Sequence, residues 1–178
     1  MNPTILTHSG LIFNLLEPDP DLIEIEDIAH ALSMLCRFTG HTNRFYSVAE
    51  HSVRASREVP ADFALEALLH DATEAYLGDV SSPLKAQLHE YRNIEFKLDC
   101  CIRQHFRLPM RQSIQVKQAD LAMLATERAH LMPSTNDHWP LLDGVTPAAP
   151  IYDTWMPYQA FSIFMNHFHG YEHARHTA

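Results

Sequence analysis

The segment Leu69-His70-Asp71-Ala72-Thr73-Glu74-Ala75-Tyr76-Leu77-Gly78-Asp79 sets a histidine and three carboxylates into an otherwise apolar run. A helix built only for packing would carry aliphatic side chains there, because a buried polar group is costly unless its hydrogen bonds are met. His70 and Asp71 are neighbours, about 100° apart around a helix, so they can share one ion only from its rim and other helices must supply the remaining ligands. His51, in Ser47-Val48-Ala49-Glu50-His51, and Asp120, in Val116-Lys117-Gln118-Ala119-Asp120-Leu121, sit in apolar helical contexts and are the expected suppliers. His51, His70, Asp71 and Asp120 together make a two-histidine, two-aspartate set for one divalent ion. Mixed nitrogen and oxygen donors suit Co, Mn, Zn or Mg without choosing among them. Each residue alone has an ordinary structural reading, and only the combination points to a metal.

The elements that must position these residues are helical. Apolar positions Ile25, Ile28, Ala29, Leu32 and Leu35 predict a first helix over 25–35. Ser47 with Glu50 three residues on resembles a capping box and opens a second, which carries His51. A third is expected from about Ala64 to Leu77, stopped by Gly78. A fourth spans about His89 to Phe106, a fifth Ser113 to Leu131, and a last one Tyr158 to Phe168. Residues 1–20 read as an extended lead-in with a short strand or edge near Ile12 and Phe13, and Met132 to Pro157, with its five prolines, reads as mostly loop. Residues 170–178 read as a polar, frayed tail.

At 178 residues, 46% apolar and 20% charged, the chain fits one domain with a core of about 25–168, and five glycines are few for an all-β protein. No run reaches the ~18 apolar residues of a membrane span, and MNPTILTHSG lacks the marks of a signal peptide, so a cytoplasmic protein with no membrane partner is expected. Three cysteines without CxxC spacing argue against a disulfide framework or a cysteine zinc knuckle. A formal charge of −9 argues against stable nucleic-acid binding, which draws affinity from basic surface.

These residues in this order resemble the HD-domain phosphohydrolases, and within them the 5′-deoxynucleotidase branch. Ser47-Val48-Ala49-Glu50-His51-Ser52 resembles the branch's first-histidine motif, His70 through Lys85 its long signature, and Val116-Lys117-Gln118-Ala119-Asp120 its final aspartate. Arg37-Phe38 is similar to the Arg-Trp pair that holds substrate phosphate and sugar, with phenylalanine in place of tryptophan. The resemblance implies an all-α, single-domain HD-type bundle with the metal site between its helices. It implies that His51, His70, Asp71 and Asp120 bind one divalent cation, and that Glu74 and Asp79 assist proton transfer. Arg37, Phe38, Asp79, Val80, Ser81 and Ser82 would bind substrate, Arg37 clamping phosphate through its planar guanidinium. Phe38 would stack on a base or exclude a 2′-hydroxyl.

The expected reaction is removal of the 5′-phosphate from a 2′-deoxyribonucleotide by a homo-oligomer whose only partner is that small molecule. A deoxynucleoside triphosphate hydrolase of the phage dATP type is the alternative, and a non-catalytic nucleotide sensor retaining the fold is a second. Cyclic-dinucleotide and ppGpp hydrolases usually carry further domains or histidine motifs, for which the chain leaves little room. The tail histidines His167, His169, His173 and His176 read as surface residues, and Lys85 and Arg44 as solvated or steering charges.

Overall fold

A hairpin opens the computed structural model, which describes residues 2–177. Strands β1 (Thr4–Leu6) and β2 (Ile12–Asn14) pair antiparallel with Ile5 opposite Phe13. Alternation puts Phe13 fully inside while Leu6 and Ile12 face out, so the expected edge strand is present and roofs the core. Among the described residues the rest of the regular structure is helical. Met1 and Ala178, the outer ends of the expected lead-in and tail, lie outside the described residues.

Helix α1 (Ile25–Met34) buries Ile28, Ala29 and Leu32, as its periodicity predicts. Helix α2 (Val48–Ser56) starts at Ser47, whose side chain accepts from Glu50 N at 3.1 Å. The return arm of the box is absent: the Glu50 carboxylate accepts instead from Trp155 N at 2.7 Å and from Arg54. Every α2 residue but Arg54 is buried. Its small residues Ala49, Ser52, Ala55 and Ser56 let α1, α3, α7 and α8 pack around it, because helix separation is set by the side chains at the contact. His51 therefore stands on the central helix.

The third expected helix is not continuous. Helix α3 (Ala64–Leu68) ends early, residues 69–73 form turns, and α4 (Glu74–Leu77) follows before Gly78, whose φ of +79° ends it. Bonds from Ala72 N to Leu69 O and from Glu74 N to Asp71 O close three-residue rings, so the chain here is wound more tightly than an α-helix. After α5 (Ser82–Lys85) come α6 (His89–His105) and α7 (Ile114–Leu131), both near their expected limits. The 132–156 stretch is irregular apart from a 3-10 turn at Pro140–Leu142.

Helix α8 (Pro157–Thr177) corrects the expectation of a frayed tail. Ala160, Phe164, Phe168 and Tyr171 recur every three or four residues and pack on the core beyond Gly170. Arg175 Nη1 then ties the last turn to Phe106 O at 2.8 Å. One apolar cluster runs from Phe13 to Phe168, and a smaller one gathers Tyr46, Ala55, Met123, Leu131 and Ile151.

Candidate metal centre

His51 from α2, His70 and Asp71 from the tight turn, and Asp120 from α7 meet where α2, α3 and α7 pack. His51 Nε2 lies 3.3 Å from His70 Nε2 and 3.2 Å from Asp120 Oδ1, and His70 Nε2 lies 3.8 Å from that oxygen. These three residues form a group whose donor atoms could hold a metal ion. Asp71 Oδ2 approaches the same imidazole nitrogens at 3.7 and 3.3 Å, and also accepts from Arg37 Nη1 at 3.2 Å.

The other ring nitrogens decide what the first two offer. His51 Nδ1 donates to Glu127 Oε1 at 2.5 Å and His70 Nδ1 donates to Ala67 O at 2.7 Å. With the Nδ1 protons so placed, a ring that gives up its second proton to an incoming ion turns an Nε2 lone pair toward the other. Two lone pairs at that separation repel unless a cation sits between them. Donors bound at about 2.1 Å lie roughly 3.0–3.4 Å apart in octahedral or tetrahedral sites, so the observed spacing fits a divalent ion.

The electrostatics say the same in another way. Arg37 is the guanidinium near five carboxylates, Asp71, Asp79, Asp120, Glu74 and Glu127. Burial opposes its charge, yet Glu127, Asp71, Asp120 and Glu74 together outweigh burial and raise its pKa. Burial also disfavours protonated His70, but Asp71 and Asp120 push its pKa up to about 9. For His51, burial and Arg37 oppose the proton, while Glu127 and Asp120 raise the pKa overall. Burial works against ionised Asp120 too, and its bonds to His51 and His70 reverse that and hold its carboxyl far below the usual range. The cluster thus calls for positive charge.

Glu74 stands one tight turn beyond Asp71 on the same face, since residues three apart eclipse in such a turn. Its Oε2 is buried without a hydrogen-bond partner, and burial followed by Asp71 and Asp79 raises its pKa well above the carboxylate range. Asp79, half-buried beyond Gly78, is raised first by burial and then by Asp71, with Arg37 opposing.

A cavity of about 350 Å³ opens beside the group, walled by His70, Asp71, Glu74 and Asp120 on one side and by Lys85, Arg92, Glu95 and Phe96 on another. Lys85, read from sequence as a solvated charge, is on this wall, paired with Glu95 at 2.5 Å. Of the expected substrate residues, Arg37 is joined to the site through Asp71, and its Cζ lies 5.4 Å from the Phe38 ring. Arg37, Phe38, Asp79, Val80, Ser81 and Ser82 do not line this cavity, and Ser81 and Ser82 are exposed. Phe38 and Thr39 both hold φ of +54°, so the chain makes a left-handed turn immediately after Arg37.

Sequence reasoning missed Glu127. It is fully buried and accepts from three side chains: Arg37 Nε at 3.2 Å, Tyr46 hydroxyl at 2.9 Å and His51 Nδ1. The available signal was its place seven residues after Asp120, two turns along the same helix.

The fold and site define a helical protein with a histidine-aspartate group, centred on the buried His51, that could hold a metal ion. No family model matches the chain. It is 45% identical over 176 residues to "Uncharacterized protein YfdR" of Escherichia coli (strain K12), covering 98% of each chain. It is also 40% identical over 121 residues, 62% of each chain, to "Uncharacterized protein RCAP_rcc00048" of Rhodobacter capsulatus. The chain belongs to the YfdR family.

Proposed function

We propose that the chain is a metal-dependent phosphohydrolase of the HD-domain class, which removes the 5′-phosphate from 2′-deoxyribonucleotides. The observation that carries this reading is the convergence of His51, His70, Asp71 and Asp120 donor atoms beside a cavity that also holds the unpartnered carboxyl of Glu74. A divalent cation held by these residues would supply Lewis acidity to a phosphoryl oxygen and make a water molecule more acidic.

The chain's own groups divide the remaining work. Glu74, biased by burial toward its protonated form, holds a proton within the cavity wall where a leaving alkoxide needs one. Asp79 is the second carboxyl near that proton. Arg37 keeps two arms on Asp71 and Glu127, and Nη2 has no protein hydrogen-bond partner among the described residues, which leaves it for a phosphate oxygen. Phe38, beside that guanidinium, would contact a sugar or base that extends beyond the cavity, toward the exposed Ser81 and Ser82 and the adjoining Val80. The reading includes a cytoplasmic location and self-association, the latter favoured by the exposed apolar side chains Leu84, Leu88 and Phe96.

A second reading, hydrolysis of deoxynucleoside triphosphates such as dATP, is favoured by one feature: Lys85 and Arg92 stand on the cavity wall away from Arg37 and could meet a longer phosphate chain. Deoxynucleoside mono-, di- and triphosphates are assayed with Mn, Co, Zn and Mg. Phosphate and deoxynucleoside from the monophosphate support the first reading, and tripolyphosphate or stepwise phosphate from dATP supports the second. Asp71→Ala is expected to abolish turnover in either case, and wild-type turnover in that variant would overturn both. Nucleotide binding without turnover under every metal would make the protein a sensor.

A further inference from the structure

We infer that Glu127 is the positioning residue that couples the metal ligand His51 to the phosphate clamp Arg37. For Arg37 the inference rests on the phosphohydrolase reading, and for His51 on the donor geometry alone. The two oxygens of this fully buried carboxylate divide the task. Oε1 accepts from His51 Nδ1 and from the Tyr46 hydroxyl, while Oε2 accepts from Arg37 Nε.

The first bond fixes a tautomer. A proton held on Nδ1 leaves Nε2 as a lone pair, and Nε2 is the atom that faces His70 and Asp120. A carboxylate behind a metal-binding imidazole also makes the ring a better donor. The second bond fixes a direction. Held at Nε, the guanidinium plane can turn its Nη atoms only toward Asp71 and the space beyond it. The Tyr46 hydroxyl, on a fully buried side chain, donates to the oxygen that also takes His51 Nδ1–H and so helps hold the carboxylate plane between His51 and Arg37.

Glutamine cannot do both jobs. It has one acceptor and one donor end. With its oxygen toward His51 and Tyr46, its amide N–H groups face Arg37 Nε–H and release the clamp. Turned round, it faces His51 Nδ1 with donors and forces the proton onto Nε2, where it blocks the ligand position. Glu127→Gln keeps the side-chain shape, so it separates this role from packing. Tyr46→Phe keeps the carboxylate and removes only its third bond.

Cobalt(II) is titrated into the metal-free wild type, E127Q and Y46F, following its visible absorption, and KM and kcat for a deoxynucleoside monophosphate are measured at saturating cobalt. E127Q is expected to weaken cobalt binding by about 10–100-fold and to shift the cobalt spectrum. Its KM is expected to rise by roughly tenfold beyond any change in kcat, as for a lost charged hydrogen bond. Y46F is expected to weaken cobalt binding several-fold with the same sense of spectral shift, and it carries the test if thermal unfolding shows E127Q to be misfolded. Cobalt affinity and spectrum equal to wild type in the folded variants would overturn the inference, whatever the turnover. A weakened cobalt affinity with no phosphate released by wild type from any deoxynucleotide would overturn the phosphohydrolase reading and leave the positioning of His51 standing.

Discussion

Two buried networks of charge lie on either side of the His70–Glu74 turn, and they are built to opposite ends. In one, Glu66 on α3 accepts from Ser113 N at 2.8 Å, from the Ser113 hydroxyl at 2.5 Å and from Arg103 Nη1 at 3.2 Å. Arg103 also binds Asp99 through Nε and Pro109 O through Nη1. Both Glu66 oxygens and the Arg103 head have partners within the protein, and the network pins the start of α7 to α3. In the other, Arg37 is outnumbered by carboxylates, two imidazole nitrogens face each other, and a Glu74 oxygen has no partner. A network that closes on itself contributes to stability, whereas one left short of positive charge stores an affinity for whatever brings it.

Cutting each network should therefore fail differently. Glu66→Ala would leave the buried Arg103 with Asp99 as its one carboxylate and strip Ser113 of its acceptor, costing about 2–3 kcal/mol of stability, read by denaturant unfolding, with cobalt affinity of the folded fraction unchanged. A loss below about 1 kcal/mol would erase the contrast. Asp120→Asn should do the reverse. Its side chain is 37% exposed and asparagine keeps an acceptor oxygen toward the imidazoles, so the stability loss should be smaller than for Glu66→Ala, while cobalt binding should weaken by roughly two orders of magnitude, about 2.7 kcal/mol. The smallest effect concerns the left-handed turn after Arg37. Thr39 is β-branched at φ +54° with its side chain exposed, so Thr39→Gly should raise stability by about 0.5–1 kcal/mol. A destabilised variant would show that the turn holds no strain.

What could be read in advance followed local chemistry. Ser47 marks the start of α2 because a side-chain cap is a matter of three residues, and the apolar periods of α1, α6 and α7 locate those helices. The break at 69–73 could not be seen, because a tight turn and an α-helix present nearly the same run of apolar positions over five residues. The last turns of α8 were hidden by a polar composition that is the exposed face of a helix whose other face is Phe164, Phe168 and Tyr171. His51, His70, Asp71 and Asp120 were legible as a set because their types are out of place in apolar helices. Glu127 was equally out of place, but its partners Arg37, Tyr46 and His51 lie 76–90 residues away in sequence, and no local pattern joins them.

The central claim is that the second network is completed by one divalent ion. Metal-free protein is titrated with cobalt(II) or zinc by calorimetry, and its thermal midpoint is followed with and without the ion. One ion per chain with a raised midpoint, the affinity weakened by roughly two orders of magnitude in Asp120→Asn and kept in the folded fraction of Glu66→Ala, is the predicted result. No uptake of cobalt, manganese, zinc or magnesium, or uptake unchanged by Asp120→Asn, would contradict it.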